Sequence, residues 1–85
     1  MTEQEVFGEI RALLSKQLNV DTNLIGYESV ITEDLGADSL DIAEIALMIK
    51  DKFEYDLSDA EMAKIKTVQN IVNVILSKSS NTAGA

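Results

Sequence analysis

The chain has 85 residues, a length that makes one domain with a small core. It holds no cysteine and no histidine, which excludes disulfides, thiolate nucleophiles, Ser-His-Asp catalysis and metal sites built on imidazole or thiolate. Fifteen acidic side chains against seven basic ones leave a net charge of −8, which disfavours nucleic acids and anionic membranes as partners. No apolar run is long enough to span a bilayer, and the start, MTEQEVFGEI, lacks the pattern of a signal peptide. The expectation is an acidic, cytoplasmic, monomeric domain that is not an enzyme. The absence of proline and the abundance of helix formers predict an all-α fold. Its architecture is a small four-helix bundle, three longer helices and a short third one, with a long loop between the first two.

The first helix is predicted over 3–18. Val6, Phe7, Ile10, Leu13, Leu14 and Leu18 form one apolar stripe, and Thr2 with Glu5 makes a capping box. Gly8 costs this helix about 1 kcal/mol against alanine, with no evident function in return. From Asn19 to Asp38 no periodic pattern shows, and a connection that long signals either function or a missed element. Val20, Leu24, Ile25, Val30, Ile31 and Leu35 are spaced to hold it over the core, with room for one short helical turn. The second helix is predicted over 39–54. The third covers 59–65 behind a Ser58/Glu61 capping box. The fourth covers 68–78, capped by Thr67 and striped by Val68, Ile71, Val72, Ile75 and Leu76. Residues 1–78 then form the domain and 79–85 a disordered tail.

The charge is concentrated. Between Glu33 and Ala63 there are ten acids and two lysines, and the rest of the chain is balanced. Two readings stay open: a solvated acidic surface, or a docking face for basic partners. The second helix bears on this choice. At about 100° per residue, Ile42, Ile45, Ala46, Ile49 and Phe53 fall on one side, between about 140° and 240° from Leu40. Leu40, Ala43 and Leu47 fall on the opposite side, among Glu44, Asp51 and Glu54. A helix packed on one face has no structural need for those leucines. An apolar patch rimmed by carboxylates has the character of a protein–protein contact, although single exposed leucines are common.

The segment that enters this helix is EDLGADSLD, Glu33 to Asp41. Gly36 permits the turn that ends the loop, and Asp38 and Ser39 are both good cap residues. A role as cap alone accounts for Ser39 locally. The segment also resembles the attachment-site signature of acyl carrier proteins. The resemblance runs over about residues 3–78: a first helix, a long loop, Asp-Ser-Leu opening the second helix, Phe53 near its end, a short third helix, and Lys64 to Gln69 before the last.

That resemblance implies that Ser39 receives 4′-phosphopantetheine from coenzyme A and carries acyl intermediates of fatty acid biosynthesis as thioesters. It implies that Asp38 helps hold the Mg²⁺ used by the phosphopantetheinyl transferase. Acyl-processing enzymes with basic docking patches would read Leu40, Asp41, Ala43, Glu44 and Leu47. The acyl chain would fold back between the second and third helices, beside Ile42, Ala46, Leu57, Met62 and Ile65. The chain departs from the family's habit at Lys50, Lys52, Lys66, Ser58 and Ala63, which bears on partner choice rather than on attachment.

No histidine stands beside Ser39 to activate it, so a separate enzyme must do so and the carrier is a substrate and shuttle. The alternatives are a specialised carrier for another acyl, polyketide or lipid pathway, and an unmodified acidic docking module. A calcium loop is a third. Asp21, Asn23 and Gly26 fit its spacing, but Ile25 and Thr32 stand where ligands are required, so the match fails.

Overall fold

The computed structural model describes residues 2–84, with side chains through Lys78. Helix α1 is Glu3–Leu18. It starts where Thr2 can cap it. The Glu5 N–H donates to Thr2 Oγ1 at 3.2 Å and the Thr2 N–H donates to Glu5 Oε1 at 2.9 Å. It stops at Asn19, which takes the left-handed conformation at φ 57°. Its stripe buries Val6, Ile10, Leu13 and Leu14 against α4, Val68–Gly84, and α2, Ser39–Phe53. A short helix α3, Asp59–Lys64, opens with the Ser58/Glu61 capping box and buries no residue fully. The described residues thus form four helices, as the periodicity predicts.

Helix α4 is capped by Thr67, whose Oγ1 accepts from the Asn70 N–H at 3.2 Å. Asn70 Oδ1 accepts in return from the N–H groups of Thr67 and Lys66. Val68, Ile71, Val72 and Ile75 are buried. The helix runs beyond the end predicted at 78, and the side chains of 79–84 lie outside the described residues. The backbone is helical through Gly84 where the sequence predicts a disordered tail, and Ala85 lies outside the described residues.

The long connection is a fixed part of the core. Thr22–Leu24 is a single 3₁₀ turn, capped by Asp21, whose Oδ1 accepts from the Asn23 N–H. Ile25, Ile31, Leu35 and Ala37 are buried in the same cluster as the helices. Leu24 is not: at 71% exposure it faces outward, because the 3₁₀ turn places it on the side away from Ile25. The loop is also stitched to the start of α4. Ile31 N–H donates to Lys66 O at 2.9 Å, Val68 N–H to Ser29 O at 3.1 Å, and Gln69 N–H to Tyr27 O at 2.9 Å. These bonds surround an isolated antiparallel bridge between Val30 and Thr67. Tyr27 stacks on Phe7 of α1 at 3.9 Å between ring centroids, and the Arg11 guanidinium sits 5.1 Å from the Phe7 ring. Backbone groups with no helix to join are satisfied this way, as a partly buried loop requires.

Gly8 lies in α1 with open space around it: an added Cβ would meet nothing within 4 Å. Gly8→Ala is therefore expected to stabilise the fold by about 0.5–1 kcal/mol, through helix propensity alone. Urea unfolding checks this as a raised midpoint at unchanged m.

Candidate functional site

The segment leading to α2 turns back on itself. The Asp34 carboxylate accepts from Val30 N–H at 2.7 Å, and Asp34 N–H donates to Val30 O at 2.8 Å. Gly36 takes φ 77°, a conformation open to glycine at little cost. Ala37 is buried and its N–H donates to Ile31 O at 3.1 Å. The chain therefore reaches Asp38 from a fixed anchor.

The cap of α2 is Asp38, not Ser39. Asp38 Oδ1 accepts from Asp41 N–H at 2.9 Å, and Asp41 Oδ2 accepts from Asp38 N–H at 3.1 Å. Asp41 Oδ1 also accepts from Gln17 Nε2 at 3.3 Å, which ties the cap to α1. With the cap made by its neighbour, Ser39 is the first helical residue, and its hydroxyl makes no hydrogen bond to the described residues. It is exposed at the helix N-terminus, where free N–H groups and the helix dipole favour an anion.

Ser39 opens onto a groove of about 460 Å³ between α2 and the segment 56–62. Helix α2 supplies one wall from positions spaced three and four apart: Ser39, Ile42, Ala43, Ala46, Leu47 and Lys50. The other wall is Asp56, Leu57, Asp59 and Met62. Four of the five residues expected beside an acyl chain, Ile42, Ala46, Leu57 and Met62, meet here. Ile65 does not line the groove; it follows the last turn of α3 and packs against the core. Lys50, Asp56 and Asp59 are lining residues that periodicity did not single out. For Lys50 the signal was available in the stripe that runs along α2 from Ser39; Asp56 and Asp59 lie beyond that helix and had none.

The two-faced character of α2 is present in the fold. Ile45 and Ile49 are buried, whereas Leu40 and Leu47 are 76% and 62% exposed. Ala43 and Glu44 are exposed beside them, and Asp41 is half-buried by its contact with Gln17. Leu47 and Ala43 belong both to this outer patch and to the groove wall.

Ion pairs rather than buried apolar side chains flank α3. Lys78 Nζ lies 3.1 Å from Glu61 Oε2, and Lys50 Nζ lies 3.7 Å from Asp56 Oδ2. The Ser58 N–H donating to the Glu61 carboxylate, followed by the Lys78 ammonium, holds Glu61 below the usual glutamate range. The Thr2 N–H does the same for Glu5 at the head of α1.

The family described as "Phosphopantetheine attachment site" matches residues 8–75 of the chain. The acyl carrier protein of Campylobacter concisus (strain 13826) is 43% identical over 70 residues, which cover 82% of this chain and 91% of that protein. The acyl carrier protein of Campylobacter jejuni subsp. doylei is 38% identical over 69 residues, 81% of this chain and 90% of its own. Among solved structures, the acyl carrier protein from Enterococcus faecalis superposes with a TM-score of 0.76 at 31% identity, covering 91% of this chain and 98% of that one. The chain belongs to the acyl carrier protein family, whose members bear a covalent 4′-phosphopantetheine arm and pass acyl intermediates among the enzymes of fatty acid synthesis.

Proposed function

We propose that Ser39 is the attachment point of the arm and that the groove beside it shelters the acyl chain. The observation that carries this reading is the position of one hydroxyl. Ser39 is exposed, its hydroxyl bonds to none of the described residues, and it opens onto a groove lined by Ile42, Ala46, Leu57 and Met62. The site fits a phosphodiester-linked group, because α2 presents its positive end there and the serine is free of capping duty. When bound, the arm supplies a thiol that holds acyl groups as thioesters.

The chain's own residues bind and orient. Asp38 fixes the first turn of α2 through one carboxylate oxygen, and its carboxylate would help hold the Mg²⁺ used by a transferase. The chain has no histidine, and none of the described side chains bonds to the Ser39 hydroxyl, so the carrier is a substrate and a shuttle rather than a catalyst. A transfer of phosphopantetheine from coenzyme A by a separate enzyme, read by intact mass, tests the assignment. We place the carrier in the cytoplasm as a monomer, free to diffuse between the acyl-processing enzymes it serves.

Those enzymes dock on the outer face of α2. Leu40, Ala43 and Leu47 form its apolar centre, with Glu44 and Asp41 at the rim. Glu44→Lys is expected to slow association with a phosphopantetheinyl transferase about tenfold at low salt and to flatten its salt dependence. Stopped-flow binding across a salt series checks it. Unchanged association would move the interface off this face.

A further inference from the structure

We propose that the Glu61–Lys78 ion pair latches α3 in place and so sets how well the groove shelters its cargo. The shelter rests on the reading of the groove as the acyl site; the latch stands on the fold alone. Helix α3 is anchored at its ends. Leu57 before it and Ile65 after it pack against the core, whereas its own six residues, Asp59–Lys64, bury no side chain fully. Ala60 and Ala63 are exposed. Space lies on both sides of the helix. Toward α2, Asp59 and Met62 line the groove. Toward α4, Glu61 and Lys64 share a second hollow of about 330 Å³ with Asn73, Val74 and Ser77. A short helix flanked by two hollows lacks the close packing that fixes a core element, so polar contacts decide where it rests.

Lys78 also lines that second hollow, and its Nζ lies 3.1 Å from Glu61 Oε2. The two side chains are 30% and 33% exposed. The other ion pair on this segment, Lys50–Asp56, is longer at 3.7 Å and far more open to water, at 57% and 81%, so solvent screens it more. Glu61 works in two directions at once. Its Oε1 accepts from the Ser58 N–H at 2.9 Å and closes the cap of α3, while Oε2 ties α3 to α4. Neither Glu61 nor Lys78 lines the groove. They are positioning residues, which act on the cargo through the helix that carries Met62. An ion pair of this kind shifts a local opening equilibrium about two- to fivefold. Without it, α3 leaves its place more often, and the wall made by Leu57 and Met62 opens with it.

The test uses the full chain carrying the arm, as the natural protein, Glu61→Gln and Lys78→Arg. Glutamine serves the capping box as glutamate does, so Glu61→Gln removes the charge pair and keeps the cap. Arginine keeps the pair. Amide hydrogen exchange is followed along the chain, and cleavage of octanoyl and acetyl thioesters by hydroxylamine is timed on the same proteins. The expected result is exchange about two- to fivefold faster over 59–64 in Glu61→Gln, with the buried amides of α1 unchanged and Lys78→Arg like the natural chain. Octanoyl should be cleaved faster in Glu61→Gln by a similar factor, and acetyl, which has no tail to shelter, at one rate in all three. Unchanged exchange over 59–64 in Glu61→Gln, or equal loosening in Lys78→Arg, overturns the latch. Faster exchange with octanoyl cleaved no faster overturns its control of shelter. Octanoyl cleaved as fast as acetyl in the natural chain overturns the groove reading beneath it.

Discussion

Ser39→Ala is expected to abolish the gain of one phosphopantetheinyl group in intact mass while changing stability by no more than about 0.5 kcal/mol. The first part follows from the hydroxyl. Ser39 is exposed at the head of α2 and its hydroxyl bonds to none of the described residues, and alanine has no hydroxyl to modify. The second part follows from the cap. A serine that capped the helix would cost about 0.5–2 kcal/mol on truncation, but Asp38 makes that bond to Asp41 N–H. The contrasting variant is Asp38→Ala, which removes the cap and should cost that larger amount. Mass gain that persists in Ser39→Ala would locate the arm on another hydroxyl. A large loss of stability in Ser39→Ala would show that the hydroxyl carries a structural bond.

Ile31→Ala should cost about 2–5 kcal/mol, a large share of the stability of so small a domain. Ile31 is 1% exposed and sits in the long loop, in the same core cluster as buried residues of α1, α2 and α4. Its N–H is also one of the bonds that join the loop to Lys66. The cavity left by alanine cannot collapse easily, because the backbone around it is held on both sides. Leu24→Ala in the same loop should stay within about 0.5 kcal/mol, since that side chain is mostly in water. Urea unfolding of the two variants checks the contrast. Equal, small effects would mean that the loop lies outside the cooperative core. Because this loop delivers Asp38 and Ser39, Ile31→Ala should also slow modification at temperatures where the variant is only partly folded.

Most of the helical frame was readable in the sequence. Capping boxes at Thr2/Glu5 and Ser58/Glu61 mark helix starts by local chemistry, and both pairs of bonds form in the fold. The stripe of α1 and the two faces of α2 follow from a fixed angle per residue, which is why Ile45 and Ile49 are buried while Leu40 and Leu47 are not. The loop was less readable because its order has no period. Ile25 and Ile31 turn inward and Leu24 outward for reasons that lie in a 3₁₀ turn and in bonds to residues 66–69, far along the chain.

The same division runs through the site. Glu33 to Asp41 carries the resemblance to the attachment signature and the turn at Gly36 in its own residues, and the proposal of Ser39 starts from them. Local pattern could not choose between Asp38 and Ser39 as cap. That choice is made by backbone angles at the head of α2, and it leaves the serine hydroxyl free. Nor could periodicity along one helix show what faces it. The groove exists because the segment 56–62 crosses beside α2, which brings Asp56 to Lys50 and sets Leu57 and Met62 opposite Ile42 and Ala46. Helix starts and faces depend on neighbours within one turn, so the chain's order encodes them directly. A groove between two elements depends on how the connection between them packs, and that is decided only when the core closes.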